Sequence, residues 1–263
     1  MRLIDGAEAI KGDLPATATH VVEVPMEAGE ALDTGVHRFS ALVTVREAAM
    51  AELRALEAPV VTIGGDCAAD LASVQHAVAS RPVGEVALVW FDAHGDLNDV
   101  ATSPSSAFHG MVLRALLGDA PDGLASTGDE IITPDHVILA GTRALDDGES
   151  AFVDEAGIRV VGVDQLADPA TLVAAIEATG ATSVYLHVDL DVLDPSTVSG
   201  IGFPEPFGIQ PEQLSDTIRA VRARFELVGA ALTEFAPESP DAASQDLGVI
   251  LRVLSALTAP LAA

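Results

Sequence analysis

Short apolar runs that alternate with longer helical patterns constrain the fold of this chain most strongly. The run Val86–Phe91 contains no polar residue, whereas a strand with one face in water would alternate apolar and polar residues. A strand that is apolar on both faces indicates a sheet covered by helices on both sides. The alternation along the chain therefore predicts a three-layer α/β/α fold with a mostly parallel central sheet.

The pattern also predicts where the elements lie. We expect strands at His20–Val24, Val60–Ile63, Val86–Phe91, His136–Ala140, Arg159–Val163, Val184–Val188 and Leu227–Leu232. We expect helices at Phe39–Leu56, Ala68–Ala79, Gly110–Leu117, Glu149–Ala156, Pro169–Ala178, Pro211–Phe225 and Ser244–Leu257. Because the 263 residues show no repeat or linker, we expect residues 1–263 to form a single domain.

The charge of the chain excludes several classes of partner. With 40 acidic and 13 basic residues, its formal net charge is -27, so we expect it to bind neither nucleic acid nor anionic membranes. No apolar run approaches the roughly 20 residues that span a bilayer. The first residues show no apolar signal segment and Cys67 is the single cysteine, so we expect a cytoplasmic protein.

Two acidic clusters directly follow two of the predicted strands. In both, the residues that could bind a metal stand at every second position: Asp92, His94 and Asp96 in one, Asp189 and Asp191 in the other. Alternate residues of an extended segment point to one side, and buried carboxylates repel one another unless a cation is present. The clusters therefore predict a two-metal site for manganese, magnesium or a similar ion, with a structural carboxylate network as the alternative.

Two further residues are expected to face the same edge of the sheet. His109 stands where a loop meets a predicted helix, and could carry a proton or serve as a capping or packing residue. Glu234 follows the predicted strand Leu227–Leu232, and could bind a cationic group such as a guanidinium or be a solvated loop residue. We interpret Asp194, which precedes a proline, as a turn residue.

The order of these motifs resembles the arginase, agmatinase and formiminoglutamase family of ureohydrolases, and its arginase-like members most. The matching motifs run from Gly64 to Pro237: Gly64-Gly65-Asp66, Asp92 to Asp96, His109-Gly110, Asp189 to Asp194, and Glu234. The resemblance implies a metal-dependent amidinohydrolase with two divalent ions, most simply Mn²⁺. A hydroxide that bridges the ions would attack the carbon of a guanidinium or related amidine.

The resemblance also implies roles for the metal-site residues. Asp92 and Asp189 would bridge both ions, while His94 and Asp191 would bind one ion and Asp96 the other. His109 would shuttle a proton, and Glu234 would hold the cationic group of the substrate.

On the substrate side, Asn98, Ser105 and Asp146 resemble the polar residues with which arginases bind an amino-acid head. Ala107 stands where arginases usually carry asparagine, and Ile201 and Phe203 make the rim of the pocket more apolar. A small cationic guanidino substrate is therefore expected, with arginine first. Agmatine, guanidinobutyrate-like acids and formiminoglutamate remain open. The resemblance alone implies a homo-oligomer, a trimer or hexamer.

Cys67 departs from the family pattern, which has a ligand histidine at this position beside the ion that Asp96 binds. A thiolate favours zinc, iron or cobalt, so Zn²⁺, Co²⁺ or Fe²⁺ become alternatives to Mn²⁺. Cys67 could instead be a neutral buried thiol, and the chain a catalytically impaired binding or regulatory protein with one ion or none. His187, two residues before Asp189, could supply the missing imidazole or orient a carboxylate.

Overall fold

The computed structural model describes residues 2–56 and 58–260, and these form a six-stranded sheet with helices on both faces. The strands are β1 (Val60–Ile63), β2 (Val86–Phe91), β3 (Val137–Ala140), β4 (Arg159–Val161), β5 (Ser183–Asp189) and β6 (Glu226–Thr233). They lie in the order β1-β6-β5-β2-β3-β4, and each neighbouring pair is parallel. The predicted three-layer α/β/α fold is confirmed.

Helices enclose an apolar core on each face of the sheet. They are α1 (Arg2–Lys11), α2 (Phe39–Leu53), α3 (Leu71–Ala79), α4 (Val112–Leu116), α5 (Asp147–Ala156), α6 (Pro169–Glu177), α7 (Pro211–Arg224) and α8 (Pro240–Thr258). Val89 of β2 faces a core with α1, α6, α7 and α8, whereas Leu88 faces a core with α2, α3, α4 and α5. Because alternate side chains of β2 enter different cores, the strand is apolar throughout.

Most predicted elements match an observed one within a few residues, but three predictions need correction. The predicted helix at Ala68–Ala79 begins as a 3-10 turn, Cys67–Asp70, before α3. His20–Val24 is not a strand, because its apolar side chains stay largely exposed and no burial favours pairing with the sheet. The predicted helix at Gly110–Leu117 begins as a 3-10 turn, Phe108–Met111, before α4. Helix α1 was not predicted. Among the described residues, no helix is both long and apolar enough to cross a membrane.

The strand order brings the ends of β2 and β5 together at the centre of the sheet. From β2 the chain continues to β3 on one side, and from β5 it continues to β6 on the other. Such a reversal opens a crevice beyond the carboxyl ends of the two strands, where ligands bind in open α/β sheets. Phe91 pairs with Val188 in the register, so the next residues, Asp92 and Asp189, are neighbours at this crevice.

Gly6 allows α1 to lie directly on the segment that follows β6. A Cβ atom at Gly6 would lie 1.9 Å from the backbone oxygen of Phe235, which cannot rotate away. We expect Gly6→Ala to lower the free energy of unfolding by about 1–3 kcal/mol, measured by urea denaturation. Gly248→Ala in α8 is the matched control, because a Cβ there meets no atom within 4 Å. It should stabilise by up to about 1 kcal/mol, and equal effects of both changes would contradict this packing.

Candidate metal centre and active site

The loops after β2 and β5 are joined by hydrogen bonds from backbone N–H groups to carboxylates. The N–H of Ala93 donates to Asp191 Oδ1 at 2.9 Å, which links the two loops. Within the loops, the N–H of His94 donates to Asp92 Oδ1 at 2.6 Å, and that of Asp191 donates to Asp189 Oδ1 at 2.8 Å. All three carboxylates are at most 2% exposed, so the backbone fixes them in a buried position.

Asp92, His94 and Asp191 form one group of possible metal ligands. Their donor atoms lie within 4.8 Å of one another, and His94 Nδ1 is 2.9 Å from Asp191 Oδ2 and 3.4 Å from Asp92 Oδ1. Burial opposes a charge on His94, but hydrogen bonds to Asp191 and Asp92 outweigh it and raise the pKa of His94 to about 11. Burial and the charge of Asp92 raise the pKa of Asp191 to about 6. The group therefore attracts positive charge.

Cys67, Asp92, His187 and Asp189 form a second group, which shares Asp92 with the first. Their donor atoms also lie within 4.8 Å of one another, and all four side chains are buried. Cys67 Sγ lies 3.0 Å from Asp189 Oδ2 and 3.9 Å from Asp92 Oδ2. Burial, followed by the charge of Asp189, raises the pKa of the Cys67 thiol well above its usual value. Without a cation, the thiol therefore keeps its proton and donates a hydrogen bond to the carboxylate of Asp189.

Asp96 lies beside these groups but belongs to neither. Its backbone is left-handed, with a φ of 52°, and its carbonyl oxygen accepts hydrogen bonds from the N–H groups of Leu113 and Arg114 in α4. Its side chain is 4% exposed, and Oδ2 has no hydrogen-bond partner among the described residues. Burial and the charge of Asp92 raise the pKa of Asp96 well above its usual value. A cation would satisfy this buried oxygen.

Glu234 combines a strained backbone with a buried carboxylate in the same way. Its φ is 63°, and its N–H donates to the carbonyl oxygen of Gly65 at 2.8 Å, next to the loop after β1. Oε1 is buried with no hydrogen-bond partner in the described part of the chain. Burial, followed by the charges of Asp66 and Asp191, raises the pKa of Glu234 to about 8. The Gly202 backbone closes over this carboxylate, since a Cβ there would lie 2.8 Å from Oε2.

His109 lies in the turn Phe108–Met111 that precedes α4. Its ring stacks on Phe203, with the ring centroids 5.3 Å apart and the planes at 21°. Phe203 also contacts His94 edge-on, at a centroid distance of 6.4 Å. Because Phe203 is 53% exposed, it lines the mouth of the site. The sequence predicted an apolar rim here but not the stack on His109, which depends on how the loop after β5 folds back.

Two of the three predicted substrate-side residues contact each other, and the third lies apart in an exposed turn. Asn98 Nδ2 donates to Asp146 Oδ2 at 2.8 Å, and Asp146 caps the N-terminus of α5. Asn98 is buried, and its Oδ1 has no partner among the residues that the structure describes. Ser105 is exposed, and its Oγ accepts a hydrogen bond from the N–H of Ala107 at 3.2 Å. The structure therefore pairs Asn98 with Asp146 and places Ser105 in a local turn.

Residues outside the predicted site form hydrogen bonds that hold the site residues and their loops in place. Asp70 accepts hydrogen bonds from His187 Nδ1, at 2.9 Å, and from the hydroxyl of Tyr185. Arg143 donates to the carbonyl oxygens of Asp191 at 2.8 Å and Glu205 at 2.9 Å, which ties the end of β3 to the loops after β5. The sequence could have indicated Tyr185, because it stands two residues before His187 on β5 and so lies on the same face. It could not have indicated Asp70 or Arg143, because their hydrogen-bond partners lie far along the chain.

The donor atoms fit divalent cations. Carboxylate oxygens, imidazole nitrogens and one sulfur converge at the carboxyl edge of the sheet, and several of the carboxylates have raised pKa values: Asp96, Asp189, Asp191 and Glu234. Burial is the main cause of these shifts, and the charges of neighbouring carboxylates add to it. A bound dication would reverse the shifts. One ion could be held by the group with His94, and another by the group with Cys67.

This chain is similar to known proteins in its sequence and in its fold. The model of the Arginase family matches residues 9–256. An arginase of Bacillus caldovelox is 36% identical over 152 residues, which cover 55% of this chain and 50% of that protein. The N(omega)-hydroxy-L-arginine amidinohydrolase of Streptomyces lavendulae is 30% identical over 81% of this chain and 74% of its own length. The structure of Entamoeba histolytica arginase in complex with L-ornithine shares the fold, with a TM-score of 0.84 and 22% identity over 97% of this chain and 93% of that one.

The raised pKa of Glu234 predicts how the stability of the metal-free protein depends on pH. The folded protein holds this proton up to about pH 8, whereas the usual pKa of a free glutamate is 4.5. Between these values the folded state binds more protons than the unfolded state, so stability falls as the pH rises. The free energy of unfolding of chelator-treated protein should fall by at least ~1 kcal/mol across this window, measured by urea denaturation.

Two substitutions test whether Glu234 causes this fall. Glu234→Gln should reduce it, because glutamine has no proton to release. Glu155→Gln changes an exposed glutamate of α5 and should leave the fall unchanged. A fall of the same size in wild type and Glu234→Gln would show that Glu234 is not responsible.

Proposed function

Because the chain belongs to the arginase family, we propose that it hydrolyses a C–N bond of a linear amidine, the guanidino group of a small cationic substrate. The observation that carries the proposal is the convergence on one crevice of buried carboxylates at the ends of β2, β5 and β6, whose pKa values burial and their neighbours' charges raise. Such a crevice attracts a guanidinium as well as metal ions. Arginine is the first candidate substrate, followed by agmatine, guanidinobutyrate-like acids and formiminoglutamate.

We propose two divalent ions as cofactors, Mn²⁺ first, with Zn²⁺, Co²⁺ or Fe²⁺ as alternatives because of Cys67. When bound, these ions supply a water of lowered pKa as the nucleophile. The proposed ligands are the donors that line the crevice: Cys67, Asp92, His94, Asp96, Asp189 and Asp191. The backbone hydrogen bonds to Asp92, Asp189 and Asp191 orient these carboxylates before an ion binds.

Glu234 and His109 are the proposed catalytic residues. The unpartnered Oε1 of Glu234 would accept a hydrogen bond from the guanidinium, whose positive charge would lower the raised pKa of this carboxylate. The oxygen of water bonds to the guanidinium carbon, and the C–N bond to the amine of the substrate breaks. His109 would hand a proton to this leaving amine, with its ring oriented by the stack on Phe203.

The other end of the substrate would lie near the loop after β2. The buried, unpartnered Oδ1 of Asn98 offers an acceptor, and Asp146 offers a carboxylate at the start of α5. Ser105 would contact the substrate from the exposed turn before His109. The exposed ring of Phe203 favours a substrate with an aliphatic chain between its two polar ends.

We also propose a domain organisation, a localisation and an oligomeric state. Residues 1–263 would act as a single domain, in the cytoplasm, and as a homo-oligomer of three or six subunits. The support is the resemblance to the family. Light scattering of the purified protein measures the assembly directly, and a monomer would contradict this part of the proposal.

Product release across guanidino compounds tests the activity. Metal-loaded protein should release urea from arginine, agmatine or guanidinobutyrate, or formamide from formiminoglutamate. Asp189→Asn should lower kcat/KM by at least ~100-fold, because the change removes a carboxylate from the second donor group.

Asp194→Asn is the matched control. Asp194 lies on the same loop as Asp189, but its carboxylate accepts hydrogen bonds from Ser196 in a turn. This variant should stay close to wild-type activity. Release of no product from any of the four compounds would overturn the proposal and favour a binding or regulatory protein of the same fold.

A further inference from the structure

The second donor group contains a histidine and a cysteine that face the same two carboxylates. Cys67 Sγ, His187 and the carboxylates of Asp92 and Asp189 have donor atoms within 4.8 Å of one another. In a tetrahedral zinc site, a Zn–S bond of about 2.3 Å and Zn–N or Zn–O bonds of about 2.0–2.2 Å place any two donors about 3.4–3.6 Å apart. Donors at the 4.8 Å limit would therefore have to approach one another by about 1 Å for one ion to bind all four.

His187 is held as a metal-ligating histidine is usually held. Its Nδ1 lies 2.9 Å from Asp70 Oδ2, and the hydroxyl of Tyr185 satisfies the other oxygen of Asp70. The ring stacks on Trp90 with the centroids 3.4 Å apart and the planes at 6°. Both His187 and Asp70 are fully buried. A carboxylate on one ring nitrogen fixes the tautomer and orients the other nitrogen toward a metal.

The free nitrogen of His187 faces the site and has only a weak partner there. The contact of Nε2 is Thr233 Oγ1 at 3.5 Å, the outer limit of a hydrogen bond. Thr233 Oγ1 also lies 3.7 Å from Cys67 Sγ, so this one hydroxyl contacts both donors. With Nδ1 held by Asp70, Nε2 keeps a lone pair that this long contact leaves available to a metal ion.

We propose that Cys67 Sγ, His187 Nε2, Asp92 and Asp189 form a mixed sulfur, nitrogen and oxygen subsite that takes Zn²⁺ or another thiophilic divalent ion. This subsite is one half of the metal centre in the proposed function, and the proposal depends on that function only to this extent. The other group, Asp92, His94 and Asp191, has no sulfur donor and suits a harder ion. The two halves of the centre would therefore differ in the metal they prefer.

Spectroscopy of the wild-type chain tests the sulfur ligand without any substitution. Chelator-stripped protein is loaded with one or two equivalents of Zn²⁺ and studied by X-ray absorption at the zinc edge. We expect a sulfur neighbour at about 2.3 Å. One equivalent of Co²⁺ should give the near-ultraviolet absorption of thiolate-to-cobalt charge transfer, and Cys67→Ser should abolish it. Absence of sulfur at both zinc loadings would overturn the proposal.

A preference for Zn²⁺ over Mn²⁺ is not by itself a test, because most sites of this kind bind Zn²⁺ more tightly. The informative quantity is the ratio of the two dissociation constants in wild type and in Cys67→His. Exchanging sulfur for nitrogen should reduce the preference for Zn²⁺ by at least ~10-fold. An unchanged ratio would contradict ligation by the thiolate.

His187→Gln tests the imidazole. It should weaken Zn²⁺ binding at least ~10-fold and change the visible ligand-field bands of Co²⁺, while the sulfur charge transfer remains. His76→Gln, which removes an imidazole from α3 outside both donor groups, is the control and should change neither. If His187→Gln does not fold, Asp70→Asn keeps the ring and removes its carboxylate partner. It should weaken binding by about 10–100-fold.

The outcomes separate this subsite from the proposed activity. Wild-type affinity and cobalt spectrum in folded His187→Gln, or in Asp70→Asn, would overturn the role of His187. A zinc–sulfur signal in protein that hydrolyses none of the guanidino compounds supports the subsite and contradicts the proposed function. Hydrolysis by protein that shows no sulfur ligand supports the proposed function and contradicts the subsite.

Discussion

Mutual repulsion among carboxylates buried at one edge of the sheet is the constraint on which the rest of the site depends. Asp92, Asp189 and Asp191 are almost fully buried, and the backbone N–H groups of two loops fix them there. Burial, followed by the charges of neighbouring carboxylates, raises the pKa values of Asp96, Asp189 and Asp191. The arrangement is stable and chemically useful when cations complete it.

The fold keeps these groups close by holding the surrounding backbone in a few strained or clamped conformations. Asp96 and Glu234 have left-handed backbones, which non-glycine residues rarely adopt and which cluster at functional sites. Arg143 donates to the carbonyl oxygens of Asp191 and Glu205, both in the connection between β5 and α7. The reversal of strand order between β2 and β5 supplies the crevice in which all of this lies. Strain and repulsion are thus concentrated at one place on a regular sheet.

Much of this arrangement could be predicted from the sequence. Strands such as Val86–Phe91 were placed to the residue because burial on both faces leaves a wholly apolar run. The pairs of alternating acids marked the strand ends that meet at the crevice. Helix α1 was missed because its buried face consists of little more than Gly6 and Ile10. Contacts between distant segments were also beyond reach, among them the bond of Asp70 to His187 and the stack of Phe203 on His109.

The number of divalent ions bound per chain tests the central claim most directly. Chelator-stripped protein is saturated with Mn²⁺ and Zn²⁺, freed of excess metal and measured by elemental analysis. The account predicts two ions per chain, because the two donor groups share Asp92 but are otherwise separate. Fewer than one ion per chain would contradict it, since the buried carboxylates would then be held together without the cations that their repulsion demands.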